Sequence, residues 1–260
     1  MLAYLKELIS HQELLYSWTS REIKVRYKQA VLGIGWAVLQ PLAMMLIFTV
    51  VFSYFNKIPT EGIPYPIFSY SALLPWVFFS NSISFGTTSL VRNMNLVTKI
   101  YFPREILPFA SLIASFIDFL VASVIFVFLM IYYKIALSTS LLWIPVILII
   151  QVIFTMGILL LGSALNVFYR DIRFIVPLLL QIWLFLSPII YPVSLVPDRY
   201  KTLYMLNPMA SIIDSYRRSI LFGKSPQLNF LLIATIVAII LFILSYRFFK
   251  IKEKVFADII

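Results

Sequence analysis

The sequence has no cysteine and a single histidine, His11. These shortages exclude a disulfide framework, a thiolate metal site and any centre that needs several imidazoles. Charge is scarce as well. Only 12% of the 260 residues are Asp, Glu, Lys or Arg, where a soluble domain carries about a quarter. Alternating apolar and polar strand patterns are missing, which argues against a barrel. The first 30 residues hold no short apolar core leading to a small-residue cleavage site, so no cleavable signal peptide is expected.

What is abundant is apolar. Hydrophobic residues make up 62% of the chain, and the mean hydropathy is +0.96. They fall in blocks of about 20 residues, the length that crosses the hydrocarbon layer at about 1.5 Å per residue. Lipid cannot hydrogen-bond a backbone, so blocks of this kind form helices. The fold class read here is all-α, a polytopic membrane protein. The net charge of +10 does not mark a nucleic-acid partner, because Lys and Arg cluster beside the apolar blocks. There they meet the headgroups of membrane lipids.

Six spans are expected. Four lie at about 33–55, 67–90, 106–133 and 141–168. A fifth apolar run starts at Phe174 and is broken by Pro188, Pro192 and Pro197, and the sixth covers about 228–249. Residues 1–32 read as an amphipathic segment on the membrane surface. A capping box at Thr19-Ser20-Arg21-Glu22 predicts a helix break near residue 20. The transmembrane domain is set at 33–250. Within it, 188–222 reads as re-entrant helices between spans 5 and 6, and 251–260 is a tail. Basic residues number five before the first span, three in 91–105, two in 169–173 and four from Arg247 onward, against seven on the opposite side. Positive residues mark the cytoplasm, so both termini are expected there.

The few acidic residues are scattered, and no paired carboxylates or Ser/His set is evident, so no catalytic activity is expected. Gly157 and Gly162 have the spacing of a phosphate-binding loop, but Ser163-Ala164 follow where Lys and Ser/Thr belong. Whatever powers the protein would therefore be supplied in trans, with no cofactor in this chain. Asp118 lies deep in the third span, where a carboxylate is either an ion relay or a packing group bonded to Ser115, Ser123 or a neighbouring helix. The second span is unusually polar, with Ser80, Asn81, Ser82, Ser84, Thr87, Thr88 and Ser89. Trp76, Phe78, Phe79, Trp183 and Phe185 lie farther in than an interfacial belt requires, and either line a pore or pack. The connector 91–105 sets Leu96, Val97, Ile100 and Tyr101 beside Arg92, Lys99 and Arg104. It is either a short helix that docks into a partner or an anchored loop.

Several of these stretches carry a resemblance. The run from Arg21 to Trp36, continuing to Leu39-Gln40-Pro41, resembles the amino-terminal signature of ABC-2-type polysaccharide export permeases. So do Lys99-Ile100-Tyr101-Phe102-Pro103-Arg104-Glu105, Asn166 to Ile172, Phe185 to Tyr191 and Asn207-Pro208. The resemblance implies a homodimer in the bacterial inner membrane with a channel between its subunits. Each subunit would dock on a separate ATP-binding cassette subunit and pass a lipid-linked glycan outward from the cytoplasm. By the same analogy 91–105 is a coupling segment, with Arg92, Leu96, Lys99, Ile100, Tyr101 and Arg104 as its working residues. Arg21, Arg26, Tyr27 and Lys28 mark an interface helix. Candidate channel or gate residues are Trp76, Phe79, Ser80, Asn81, Trp183, Phe185, Pro188 and Tyr191. The same architecture also suits export of a small amphiphile, and a proton-coupled carrier would have to use Asp118.

Overall fold

The computed structural model describes residues 11–100 and 102–259. Residues 1–10 of the amphipathic segment, Tyr101 of the connector and the final residue of the tail lie outside that range. Every regular element among the described residues is helical. In order they are α1 (Gln12–Tyr27), α2 (Trp36–Phe48, continued by a π-helical stretch Thr49–Phe55), α3 (Tyr65–Arg92), α4 (Met94–Lys99) and α5 (Ile106–Tyr132). There follow α6 (Ile144–Phe168, preceded by a 3-10 turn Thr139–Trp143), α7 (Ile172–Phe185), α8 (Asp198–Met205), α9 (Pro208–Ile220), α10 (Leu228–Lys252) and α11 (Phe256–Ile259).

Four helical stretches are long and apolar enough to cross a bilayer: Gly33–Phe55, Ile106–Tyr132, Thr139–Phe168 and Leu228–Val255. The other two expected spans depart from that pattern, for different reasons. Helix α3 has 28 residues, about 42 Å at 1.5 Å per residue, but too many hydroxyls for a lipid-facing helix. It is instead the centre of the bundle, packed against α2, α5, α6 and α9. Its buried hydroxyls turn back on their own helix: Ser71 donates to the Phe68 carbonyl at 2.7 Å, Ser82 to Phe78 at 2.7 Å and Ser89 to Gly86 at 2.7 Å. Such back-bonding makes polar side chains tolerable away from water. Helix α7 has 14 residues, about 21 Å, and ends well short of a bilayer's hydrocarbon thickness of about 30 Å.

Close approach holds the bundle together. A Cβ on Gly157 of α6 would stand 3.0 Å from the backbone nitrogen of Phe242 in α10, and one on Gly162 would stand 2.6 Å from the Thr87 hydroxyl of α3. Gly157 thus lets α6 meet the α10 backbone and Gly162 leaves room for the Thr87 side chain, and close packing of this kind is one source of helix association in lipid.

The amino-terminal break expected near residue 20 does not occur. Helix α1 runs unbroken through it, because the Thr19 hydroxyl donates to the Leu15 carbonyl at 2.8 Å instead of capping a new helix. The chain turns after Tyr27, where Gln29 (φ 62°) and Gly33 (φ 52°) take left-handed conformations. Helix α1 packs along α5, and its last residues, Arg26 and Tyr27, reach Asp118 midway along that helix.

Candidate functional site

Three constellations distinguish this bundle, one at the end that holds the connector, one midway along α5 and one at the far end.

At the first of these the helical run breaks between α3 and α5 to form the connector. Helix α4 buries Val97 among Leu90, Phe102, Ile106, Phe249 and Phe256, leaving Lys99 and Ile100 exposed and Leu96 half-buried. Arg92 is exposed and reaches Glu22 of α1 at 3.7 Å, while Arg21 donates to the Asn93 side chain at 3.0 Å. Arg104 turns inward: its backbone N–H donates to Glu253 Oε1 at 2.8 Å and its guanidinium to the Glu253 carbonyl. Glu105 is fully buried and accepts from Lys250 Nζ at 2.8 Å and from the Tyr246 hydroxyl at 3.4 Å. Lys250 also reaches Glu253 at 2.9 Å. Burial pushes the Glu105 carboxyl up from its ordinary range, against the lowering hydrogen bond from Lys250.

Midway along α5, Arg26 and Tyr27 at the end of α1 converge on Asp118. The Arg26 guanidinium pairs with Asp118 Oδ2 and also donates to Ser115, and the Tyr27 hydroxyl donates to Asp118 Oδ1 at 2.7 Å. The guanidinium lies 4.1 Å from the Phe85 ring centre. A cavity of about 280 Å³ opens beside this pair, bounded by Trp36, Gln40, Phe78, Asn81 and Phe119. Asp118 thus has a cationic partner, supplied by a segment expected to stay outside the membrane. Lys28 is exposed, and Arg21 stacks on Trp18 at 4.3 Å.

At the far end α7 stops at Phe185, and the chain that follows has carbonyls with no helix to use them. Arg217 of α9 collects three of these and one from α3. It is only 3% exposed, and its guanidinium donates to the carbonyls of Pro188, Ile189 (2.6 Å), Phe68 (3.2 Å) and Tyr191 (3.3 Å) while lying 3.6 Å from the Phe68 ring centre. Asn207 fixes the other side of the break. Its side-chain oxygen caps α9 at the Met209 N–H (3.1 Å) and accepts from Trp183 Nε1 (2.9 Å), while its amide donates to the Leu186 carbonyl (3.0 Å). Tyr191 donates to the Phe185 carbonyl at 3.0 Å and receives a hydrogen bond from Tyr204 at 3.3 Å. A nearly apolar cavity of about 620 Å³ lies under this break, bordered by Ile83, Ile158, Leu179, Trp183 and Leu186.

The eight candidate channel or gate residues do not share one surface. Trp76 and Phe79 are buried within the subunit, with Phe79 stacked parallel on Phe154 at 5.8 Å and edge-on to Trp183 at 5.3 Å. Ser80 and Asn81 are half-buried, Asn81 beside the Arg26–Asp118 pair. Trp183, Pro188 and Tyr191 belong to the far-end break, and Phe185 is 57% exposed. Sequence reasoning missed Arg217, Lys250 and Glu253 as site residues. Their only signal was a charge beside an apolar stretch, which reads equally as an anchor.

The apolar helices and the charged, partly buried ends define an integral membrane protein. The chain belongs to the ABC-2 type transporter family, whose model matches residues 13–221. It is 30% identical over 261 residues to the O-antigen export system permease protein RfbA of Myxococcus xanthus, an alignment covering 99% of each chain. The protein of the same name from Klebsiella pneumoniae is 30% identical over 249 residues, 95% of each. The polysialic acid transport protein KpsM of Escherichia coli is 25% identical over 240 residues, covering 87% of this chain and 90% of that one.

Proposed function

We propose that this chain is the membrane-spanning permease subunit of an ABC-type polysaccharide exporter. The observation that carries the reading is similarity along essentially the whole chain to permeases named for O-antigen export, joined by a relative named for polysialic acid transport. In the finer reading, α3 and α7 are the second and fifth of six membrane passages, and 188–222, which holds α8 and α9, is re-entrant on the outer side between the fifth and the sixth. Both termini are cytoplasmic, in the inner membrane of a bacterium. The working unit is a homodimer docked on two copies of a separate ATP-binding subunit, which supplies ATP and Mg. Binding of ATP draws those subunits together and displaces the connector 91–105, widening a path between the two permease copies. A lipid-linked glycan then moves outward through weak, repeated contacts.

Supporting this reading, the connector leaves Arg92, Lys99 and Ile100 exposed while Val97 and Phe102 are buried and anchor it, as a docking helix requires. The proton-coupled alternative loses its motive, since Asp118 is bonded to Arg26 and Tyr27 rather than standing alone. The test is to deplete the protein in its own cell and label lipid-linked glycans by membrane face. Completed polymer accumulating on the cytoplasmic leaflet is the expected result. Normal surface polymer and no accumulation would overturn glycan export in favour of a small amphiphile.

A further inference from the structure

The connector is joined to the opposite end of the chain. Arg104 and Glu105 meet Lys250 and Glu253 across 145 or more residues of sequence, and the four charges cancel. The contact is partly dry: Glu105 is fully buried, and the Lys250 side chain is 10% exposed. An apolar bolt lies beside the charges. Phe256 of α11 is fully buried, with its ring centre 5.3 Å from Phe249 and 6.0 Å from Phe168 at the end of α6. It shares one cluster with Val97 and Phe102 of the connector. A surface tail held only by headgroups has no use for a buried carboxylate, which is costly unless fully partnered.

We propose that the end of α10 together with α11 is part of the coupling element, and that Arg104, Glu105, Lys250 and Glu253 form a clasp making it move as one body with the connector. The inference rests on the connector being the segment that the ATP-binding subunit displaces. Displacement is then delivered to α10 directly, as well as to α3 and α5 that flank the connector. Helix α10 lies along α6 with the backbone contact at Gly157, so α6 receives the push too. Lys250 and Glu253 are positioning residues in this scheme, because they act through the connector and not on ATP or glycan.

The absence of native cysteine makes the test direct. The full exporter, permease with its ATP-binding subunit, is placed in lipid nanodiscs with spin labels at Asn95→Cys and Lys254→Cys. A reference pair uses Asn95→Cys and Arg173→Cys, all at exposed positions. Distances are compared without nucleotide and with ATP trapped. The expected result is a reference distance that changes while the 95–254 distance stays fixed. The Lys250→Met/Glu253→Ala variant should then broaden the 95–254 distribution and lower polymer exported per ATP hydrolysed at least about fivefold, the lower end of common coupling energies. Lys250→Arg should retain coupling. A 95–254 distance that changes with ATP as much as the reference overturns the clasp, and so does a variant with normal export per ATP. A reference distance that never changes removes the connector as the moving part, and both readings fall together. The distance measurement on the otherwise unsubstituted chain stands even if the double variant fails to assemble.

Discussion

Asp118 illustrates how a single residue's meaning depends on one partner. Alone in a span, a carboxylate costs several kcal/mol and invites a relay interpretation. Joined to Arg26 and Tyr27, with both members of the ion pair about nine-tenths buried, it becomes the anchor that holds the end of α1 against α5. A buried pair broken on one side leaves an uncompensated charge, costing about 3–5 kcal/mol, whereas apolar replacement of both partners often costs little. Asp118→Leu or Arg26→Met alone should therefore lower the melting temperature of the purified protein clearly, and the double substitution should recover most of the loss. Single effects that simply add would mean that the two groups do not act together. The partnership was invisible in sequence: the residues are 92 positions apart, and their meeting depends on the slope of α1. The Thr19 hydroxyl misled for a related reason, since the same atom can cap a helix or bond four residues back.

Among the elements, the spans read at about 33–55, 106–133, 141–168 and 228–249 were legible, and a long apolar helix stands at each, because lipid sets length and apolarity together. The break after α7 was also legible, since Pro188, Pro192 and Pro197 allow no continuous helix. What the prolines could not say is how the broken segment is satisfied, and Arg217 answers that with one guanidinium shared among three of its carbonyls and the Phe68 carbonyl of α3. The pairing of α6 with α10 belongs to this scale as well. A methyl at Gly157 would meet α10 backbone, which cannot rotate away as a side chain can. Gly157→Ala should therefore cost about 1–3 kcal/mol through overpacking, read as a lower melting temperature in detergent. An unchanged melting temperature would mean the two helices separate freely, and the route from α10 to α6 would then be lost.

For the molecule as a whole, helices α3 and α7 have a consequence for how the protein comes to exist. The first is long but rich in hydroxyls and the second spans only about 21 Å, so neither is a good solute for lipid by itself. Each becomes stable only once neighbours cover it: α3 needs α2, α5 and α6, and α7 packs on α3 and α6. Biogenesis must then depart from strict one-by-one insertion, with α3 waiting near the insertion machinery for α5 and α7 leaving it only against a finished α3–α6 surface. Nascent chains halted on the ribosome just after α3 should leave a cysteine placed in that segment, Ser84→Cys, open to a water-soluble maleimide, whereas chains halted after α6 should shield it. A cysteine already blocked at the first stop would contradict this order. The polar helix at the heart of the bundle would thus serve as an assembly checkpoint, entering the bilayer only when its partners have arrived.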